Sequence, residues 1–177
     1  MQTLEQMNKY AVDLHWLAFL LTGRRDLSID IAVETVASYD HASRFFSEWI
    51  IAWSRRITIA RALAAISDRL AASVRRTEWN RGDGPPLPAR DWSLDPGTSK
   101  AEIEEALLAI DLFPRAALVL LVFEGVPIAD VTLLLHADSA QVRTAQAIGQ
   151  RELTSNLARM QGWTTSAAEP CFVHSEA

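Results

Sequence analysis

The stretch PIADVTLLLHADSAQVRTAQ, residues 127–146, combines two helical patterns with a tight turn between them. In the first pattern Ile128, Val131 and Leu135 recur at helical spacing and form one apolar face. His136 follows at the turn, where a positive φ is often required and His is among the tolerated residue types. The stretch therefore predicts a helix-turn-helix, an arrangement in which the second helix can lie in the major groove of DNA.

The second helix of this motif has its own start signal. Asp138 can cap it, and Gln141 stands three residues further on, which makes a variant of the capping box. Val142 supplies the inward apolar anchor. A helical hairpin of the same length inside a bundle without any nucleic-acid function remains an open alternative.

Helical spacing of apolar residues continues on both sides of the motif, which predicts an all-α protein. The predicted helices cover residues 4–21, 28–38, 42–79, 99–110, 114–124, 128–135 and 139–160. Arginines occupy one face of the third helix, and the opposite face is predicted to be apolar. The apolar positions are Phe46, Trp49, Ile50, Trp53, Ile57, Ala60, Leu63 and Ile66. Gly125 and Pro127 are typical of a helix stop followed by a new helix start.

Residues 80–98 contain four prolines and three glycines, which is incompatible with a continuing helix or a sheet interior. This segment is predicted to be a linker. The predicted organisation is then a helical domain over residues 1–79 and a second helical domain over residues 99–160. The tail, residues 161–177, lacks periodicity and is expected to be flexible.

Charge is unevenly distributed along the chain. The net charge is −5, which alone is unfavourable for binding nucleic acid. Between His41 and Arg81, however, the chain has eight arginines against three acidic residues. This basic stretch is compatible with a DNA-binding surface, and equally with an ordinary solvated helix face.

No feature indicates an enzyme. The sequence has no glycine-rich phosphate loop, no nucleophile elbow and no carboxylate pair beside a histidine. The single cysteine, Cys171, cannot form an intramolecular disulfide, and no Cys and His have metal-ligand spacing. We therefore expect no cofactor and no metal. The chain has no signal-peptide pattern and no apolar run of about 20 residues, so we expect a cytoplasmic protein that does not enter a membrane.

The segment ALLAIDLFPRAALVLLVFEGVPIADVTLLLHADSAQVRTAQAIGQREL resembles region four of extracytoplasmic-function sigma factors. The matching positions are Arg115, Glu124, Gly125, Val131, Leu135, Val142 and Leu153. In the N-terminal half, LHWLAFLLTGRRDLSIDIAVETV and FFSEWIIAWSRRI resemble region two of the same family, with Phe46, Trp49, Ile50 and Arg55 in matching places. The resemblance covers most of residues 10–157, and its two parts occur in the family's order.

The resemblance implies a factor that directs transcription initiation by binding core RNA polymerase and promoter DNA. An anti-sigma factor is a further possible partner. By this resemblance, the DNA-binding residues are Arg55, Arg56, Arg61, Ser139, Gln141, Arg143, Thr144 and Arg151. The residues implied to bind polymerase are Asp30, Val33 and Glu34.

Several positions depart from the family pattern. Ala145 and Ile148 stand where the family usually has arginine or another polar residue, and Gln146 replaces an apolar core residue. With Arg143 and Arg151 as the main cations of region four, DNA binding is expected to be weak and only shallowly dependent on salt. The alternative function is a sigma-fold adaptor or decoy, which would bind polymerase or an anti-sigma protein without sequence-specific DNA recognition.

Overall fold

The computed structural model describes residues 2–37, 47–79 and 96–162. Every secondary-structure element in these ranges is helical, as predicted. The helices are α1 (Gln2–Thr22), α2 (Arg25–Ala37), α3 (Ser47–Ala65), α4 (Ser67–Trp79), α5 (Lys100–Leu108), α6 (Leu112–Leu118), α7 (Ile128–Leu135) and α8 (Ser139–Met160). A π-helical segment, Val119–Phe123, directly continues α6.

The bounds of α7 and α8 agree with the prediction, but the long helix predicted over residues 42–79 is wrong. It is two helices, which meet at Ile66. The N–H of Ile66 donates to the carbonyl of Leu63 at 3.2 Å, a tighter turn than the α-helical one, and the Ile66 side chain is buried. Ser67 then begins α4, so the helix is interrupted at a buried position.

The inward face of α3 agrees with the predicted one only in part. Leu63 is buried as predicted, as is Ile66 directly after the helix, but Trp53 and Ala60 are exposed. Phe46 lies outside the described residues. The buried residues that the pattern did not predict are Ser54, Thr58, Ile59 and Ala62. The hydroxyl of Thr58 donates to the hydroxyl of Thr35 on α2 at 3.5 Å. Small polar side chains of this kind can be buried when they form hydrogen bonds inside the packed face, and apolar periodicity alone could not place them there.

Helix α6 lies at the centre of the fold. All nine residues from Leu112 to Leu120 are buried. A helix that is buried on every side needs neighbours on every side. It packs against α8 from its own half of the chain, and against α1 and α4 from the N-terminal half.

One apolar cluster consequently spans both halves. It includes Leu17, Leu20, Leu63 and Leu70 from the N-terminal half, and Leu107, Phe113, Ala116, Leu120 and Val131 from the C-terminal half. The predicted division into two small domains therefore does not give two separate cores. The greater part of the predicted linker, residues 80–95, lies outside the described residues, as do residues 163–177 of the predicted tail.

Polar contacts reinforce the junction between α4 and the start of α6. Asp111 accepts hydrogen bonds from Ser73 Oγ at 2.8 Å and from Arg76 Nη2 at 2.8 Å. Ser73 Oγ also accepts the N–H of Phe113 at 2.8 Å. One serine thus satisfies a backbone donor in the first turn of α6, which no intrahelical carbonyl can reach.

Helices α1 and α5 meet through an aromatic contact. Trp16 Nε1 donates to Glu104 Oε2 at 3.0 Å, and Lys100 Nζ lies 4.5 Å from the centroid of the Trp16 ring. Lys100 and Glu104 are one helical turn apart, so both reach the same indole. This half-buried tryptophan adds a second polar link between the two halves.

Arg115 on α6 is 5% exposed. Its Nη1 donates to the carbonyls of Leu108 and Ile110 at 3.0 and 3.3 Å, and so satisfies acceptors at the end of α5. Burial lowers the pKa of Arg115 to about 10, which still leaves the side chain charged at neutral pH. A Cβ on Gly23, which has φ +67°, would lie 3.2 Å from Arg115 Nη2. The turn between α1 and α2 therefore needs glycine for its conformation and for this contact.

Helix α8 lies close against α6 at Gly149. A Cβ at this position would lie 2.6 Å from the carbonyl oxygen of Pro114 and 3.2 Å from Cβ of Leu118. The first distance is too short for any side chain, and its partner is backbone. The absence of a side chain at Gly149 therefore sets the distance between these two helices.

We predict that Gly149→Ala destabilises the protein by about 1–3 kcal/mol, the usual cost of overpacking a core. In a helix interior alanine is otherwise favoured over glycine by about 1 kcal/mol. Without the close contact, Gly149→Ala would therefore be expected to stabilise the protein. Urea unfolding measures the change. Gln150→Ala, at the exposed neighbouring position, is the control and should change the free energy of unfolding by less than about 0.5 kcal/mol. A stabilised Gly149→Ala variant would contradict the packing described.

We predict that Asp111→Asn lowers stability at neutral pH by up to about 1 kcal/mol, a modest cost because the ion pair is partly exposed. Burial favours a higher pKa for Asp111, but hydrogen bonds from Arg76, Ser73 and the Leu112 backbone outweigh it and hold the pKa below its usual value. The stabilisation is thus present above the unfolded-state pKa of about 3.9 and is lost as pH falls through the lower folded-state pKa.

The measurement is urea unfolding of wild type and Asp111→Asn between pH 7 and pH 2. The difference between their free energies of unfolding should narrow below about pH 4. Glu105→Gln, on the exposed side of α5, controls for the loss of one negative charge. A difference that stays constant across this range would show that the Asp111 carboxylate does not stabilise the junction.

Candidate functional site

The two helices predicted over residues 128–135 and 139–160 are present as α7 and α8, with a turn between them. His136 occupies the turn with φ 50° and ψ 44°, the left-handed conformation that was predicted for it. Asp138 Oδ1 accepts the N–H of Gln141 at 2.8 Å, and Gln141 Oε1 accepts the N–H of Asp138 at 2.7 Å. Both bonds of the predicted capping box are therefore formed at the start of α8.

The residues predicted to bind DNA on α8 differ in exposure. Ser139, Arg143 and Arg151 are exposed, whereas Gln141 and Thr144 are half-buried. The carbonyl oxygen of the Gln141 side chain is used in the capping box. In this arrangement Gln141 fixes the start of the helix, and Ser139 and Arg143 present polar groups to solvent beside it.

The interpretation of Ala145 as a lost DNA contact is wrong. Ala145 is 0% exposed and belongs to the apolar cluster, together with Val142. Val142, Ala145 and Gly149 follow one another at spacings of three and four, and they form the face of α8 that packs inward. A small residue at position 145 therefore serves helix packing. Gln146 and Ile148 are both half-buried.

The residues predicted to bind polymerase lie together on α2. Asp30, Val33 and Glu34 are all exposed, and the side chain of Val33 is 62% exposed. Ile29, one turn before Val33, is also 51% exposed. The outer face of α2 thus combines apolar and acidic groups, a composition suited to a protein partner with an apolar centre and a basic rim.

The three arginines predicted to contact DNA on α3 have different surroundings. Arg56 is exposed. Arg61 Nη1 lies 3.7 Å from Glu34 Oε2 and donates to Thr35 Oγ1 at 3.4 Å. Arg55 forms a bidentate ion pair with Glu124, with Nε to Oε2 at 2.8 Å. Phosphate contacts by these residues remain predictions, and Arg55 would have to leave Glu124 to make one.

A groove that the sequence did not predict runs between α7 and the α3–α4 pair, with a volume of about 510 Å³. Its walls are mainly apolar and include Leu63, Leu70, Val74 and Leu134. Leu133 at its edge is 74% exposed. The signal available in the sequence was the run of three leucines, 133–135, because a short helix cannot turn three consecutive side chains inward.

Membrane-spanning and metal-binding features are both absent from the ranges 2–37, 47–79 and 96–162. No helix there has the length and apolar character needed to span a bilayer. Within the same described residues, no three His, Cys, Asp or Glu side chains are grouped so that they could hold a metal ion.

We predict that Asp138→Ala lowers the free energy of unfolding by about 1 kcal/mol, because the start of α8 loses its side-chain cap. Chemical denaturation followed by circular dichroism measures the change. Ser139→Ala, at the next position, is the matched control and should stay within about 0.5 kcal/mol of wild type. Equal losses in the two variants would show that the capping box does not stabilise the helix.

Comparisons with known proteins support the fold. No protein-family model matches the sequence, and no curated protein matches it. A solved structure to which the chain is similar is that of the sigma factor RpoE from Bartonella quintana, determined in complex with the anti-sigma factor NepR. The likeness covers 88% of this chain and 96% of that chain, with a TM-score of 0.50 and 15% sequence identity. The chain thus has a sigma-factor-like, all-helical fold.

Proposed function

We propose that this protein is a sigma-factor-like protein of the cytoplasm, which binds core RNA polymerase and directs it to promoter DNA. The observation that carries this proposal is the pair of helices α7 and α8, joined by a turn at His136 and capped at the start of α8, within a sigma-factor-like fold. The predicted activity is binding rather than catalysis.

In this proposal the outer face of α2 binds polymerase. Val33 and Ile29 supply apolar area that is exposed in the free protein, and the flanking carboxylates of Asp30 and Glu34 select a basic partner. Burial of apolar side chains supplies most of the affinity of such a contact, while the charges favour the correct partner and orientation.

DNA would be contacted by α8 and by the basic face of α3. Arg143 and Arg151 on α8, with Arg56 on α3, are exposed cations. Each phosphate that such a cation neutralises releases counterions and steepens the salt dependence of binding. So few cations on an acidic chain favour weak DNA binding by the protein alone, with polymerase supplying much of the affinity of the complex.

A second candidate function is a sigma-fold adaptor or decoy that binds polymerase or an anti-sigma protein without reading DNA. The shared core favours it, because α6 ties the two halves into one packed body. The ion pair of Arg55 with Glu124 favours it as well, since it occupies a predicted DNA contact. RpoE of Bartonella quintana was solved with an anti-sigma factor, which makes a similar partner reasonable here.

Copurification with core polymerase, followed by sequencing of the retained DNA, separates the two functions. A sigma-like factor should enrich DNA fragments that share a sequence element, and it should shift labelled promoter DNA only when polymerase is present. An adaptor should copurify with polymerase and enrich no element. Failure to bind polymerase at all would contradict the sigma-like function.

We predict that Val33→Lys weakens binding to core polymerase by at least about tenfold, because a buried lysine without a partner costs more than about 1.4 kcal/mol. Biolayer interferometry with immobilised polymerase measures the affinity. Val12→Lys is the matched control, since Val12 is 52% exposed but lies on α1. Unchanged binding of Val33→Lys would exclude this face of α2 as the docking surface.

A further inference from the structure

Glu124 holds Arg55 in a geometry that a phosphate could replace. The two residues are 69 positions apart in sequence and join α3 to the end of the π segment. Two nitrogens of the guanidinium, Nε and Nη2, donate to the two carboxylate oxygens at 2.8 and 2.5 Å. The same planar pair of donors can bind two phosphate oxygens, so a carboxylate and a phosphate compete for one arginine edge.

The π segment directly precedes Glu124. Its final bond joins the N–H of Glu124 to the carbonyl of Val119 at 2.9 Å, and Gly125 follows with φ +62°. A π turn adds one residue to an α-helical turn, which rotates the downstream residues by about 100°. Such segments occur often at functional sites. Here the rotation accompanies the placement of one carboxylate against α3, on the other half of the chain.

The surroundings of Arg55 and Glu124 favour the ion pair over separated side chains. The Glu124 side chain is 9% exposed and that of Arg55 is 37% exposed. Hydrogen bonding to Glu124 raises the pKa of Arg55, and Asp13 on α1 adds a further favourable charge. Arg55 remains exposed enough for solvent and ligands to reach it, whereas the carboxylate is almost enclosed.

We propose that Glu124 is an internal competitor for DNA: its carboxylate occupies the Arg55 guanidinium in the free protein, and a DNA phosphate must displace it before Arg55 can contribute to binding. The inference rests on the proposed function in one respect, that DNA is the source of the phosphate. It adds to that function a self-inhibitory contact between the two halves, which lowers DNA affinity until a ligand or partner opens it.

The test compares wild type with Glu124→Gln, which has nearly the same shape and removes the competing charge. The probe is a labelled 30-base-pair duplex of arbitrary sequence, titrated at several salt concentrations. Arg55 contacts a phosphate in both complexes, but only the wild type must first break its ion pair with Glu124. Affinity at 0.1 M salt should therefore rise by about tenfold in Glu124→Gln. The slope of log K against log salt should stay the same, because the number of phosphate contacts does not change.

Two controls separate the release of Arg55 from the general loss of a negative charge. Glu105→Gln makes the same change in net charge at an exposed position on α5 and should change the affinity by less than about twofold, because salt screens an exposed charge. The double variant Arg55→Gln/Glu124→Gln should lose the gain. Circular dichroism checks that each variant folds.

A second measurement uses the wild-type chain and does not depend on the folding of a variant. The Nε–H resonance of Arg55, assigned with Arg55→Gln, should shift during titration with the duplex as the carboxylate is exchanged for phosphate. A resonance that stays unchanged at saturation would overturn the proposal. So would a Glu124→Gln variant that gains no more than Glu105→Gln.

The same experiments distinguish this inference from the proposed function. If Glu124→Gln gains affinity but the protein does not bind core polymerase, the competition stands and the proposed function fails. If the wild type binds polymerase and selects promoter DNA while Glu124→Gln does not gain affinity, the function stands and the competition fails.

Discussion

The complete burial of α6 constrains the rest of the structure. Nine consecutive residues, Leu112–Leu120, have no solvent-facing side, so both halves of the chain must contribute to the surrounding shell. Arg115 lies within this stretch and donates to carbonyls at the end of α5, which supports its charge. The ends of the buried helix are tied by Asp111 to α4 and by Glu124 to α3. Helix α6 belongs in sequence to the C-terminal half, but residues from both halves therefore hold it in place.

Local structure could be predicted from the sequence where neighbouring residues alone determine it. The capping box of Asp138 and Gln141, the left-handed His136 and the bounds of α7 and α8 depend on residues within a few positions of one another. The prediction was wrong where tertiary packing decides. The break at Ile66 and the inward face of α3, with Ser54 and Thr58, result from contacts with other helices that periodicity does not encode.

The surroundings of the candidate site were harder to predict for the same reason. A sequence shows that Arg55 is an arginine in a basic stretch, but its ion pair with Glu124 joins positions 69 apart. Ala145 was interpreted as a missing cation because a single position in a family pattern cannot show which face of α8 packs inward. By contrast, Asp30, Val33 and Glu34 lie on one exposed face of α2, since i, i+3 and i+4 spacing on one helix fixes that geometry. Their role in binding polymerase stays a prediction.

The shared core also bears on how two binding surfaces would act together. If α2 binds a partner and α8 binds DNA, both belong to a body whose halves cannot separate without exposing α6. Exposing that helix costs free energy in proportion to the apolar area uncovered, and only a partner that covers the same area offsets this cost. Either the halves therefore move together, so that docking at α2 determines where α8 lies, or a partner replaces one half around α6. In the second case opening and partner binding are thermodynamically linked, and each must favour the other by the same factor.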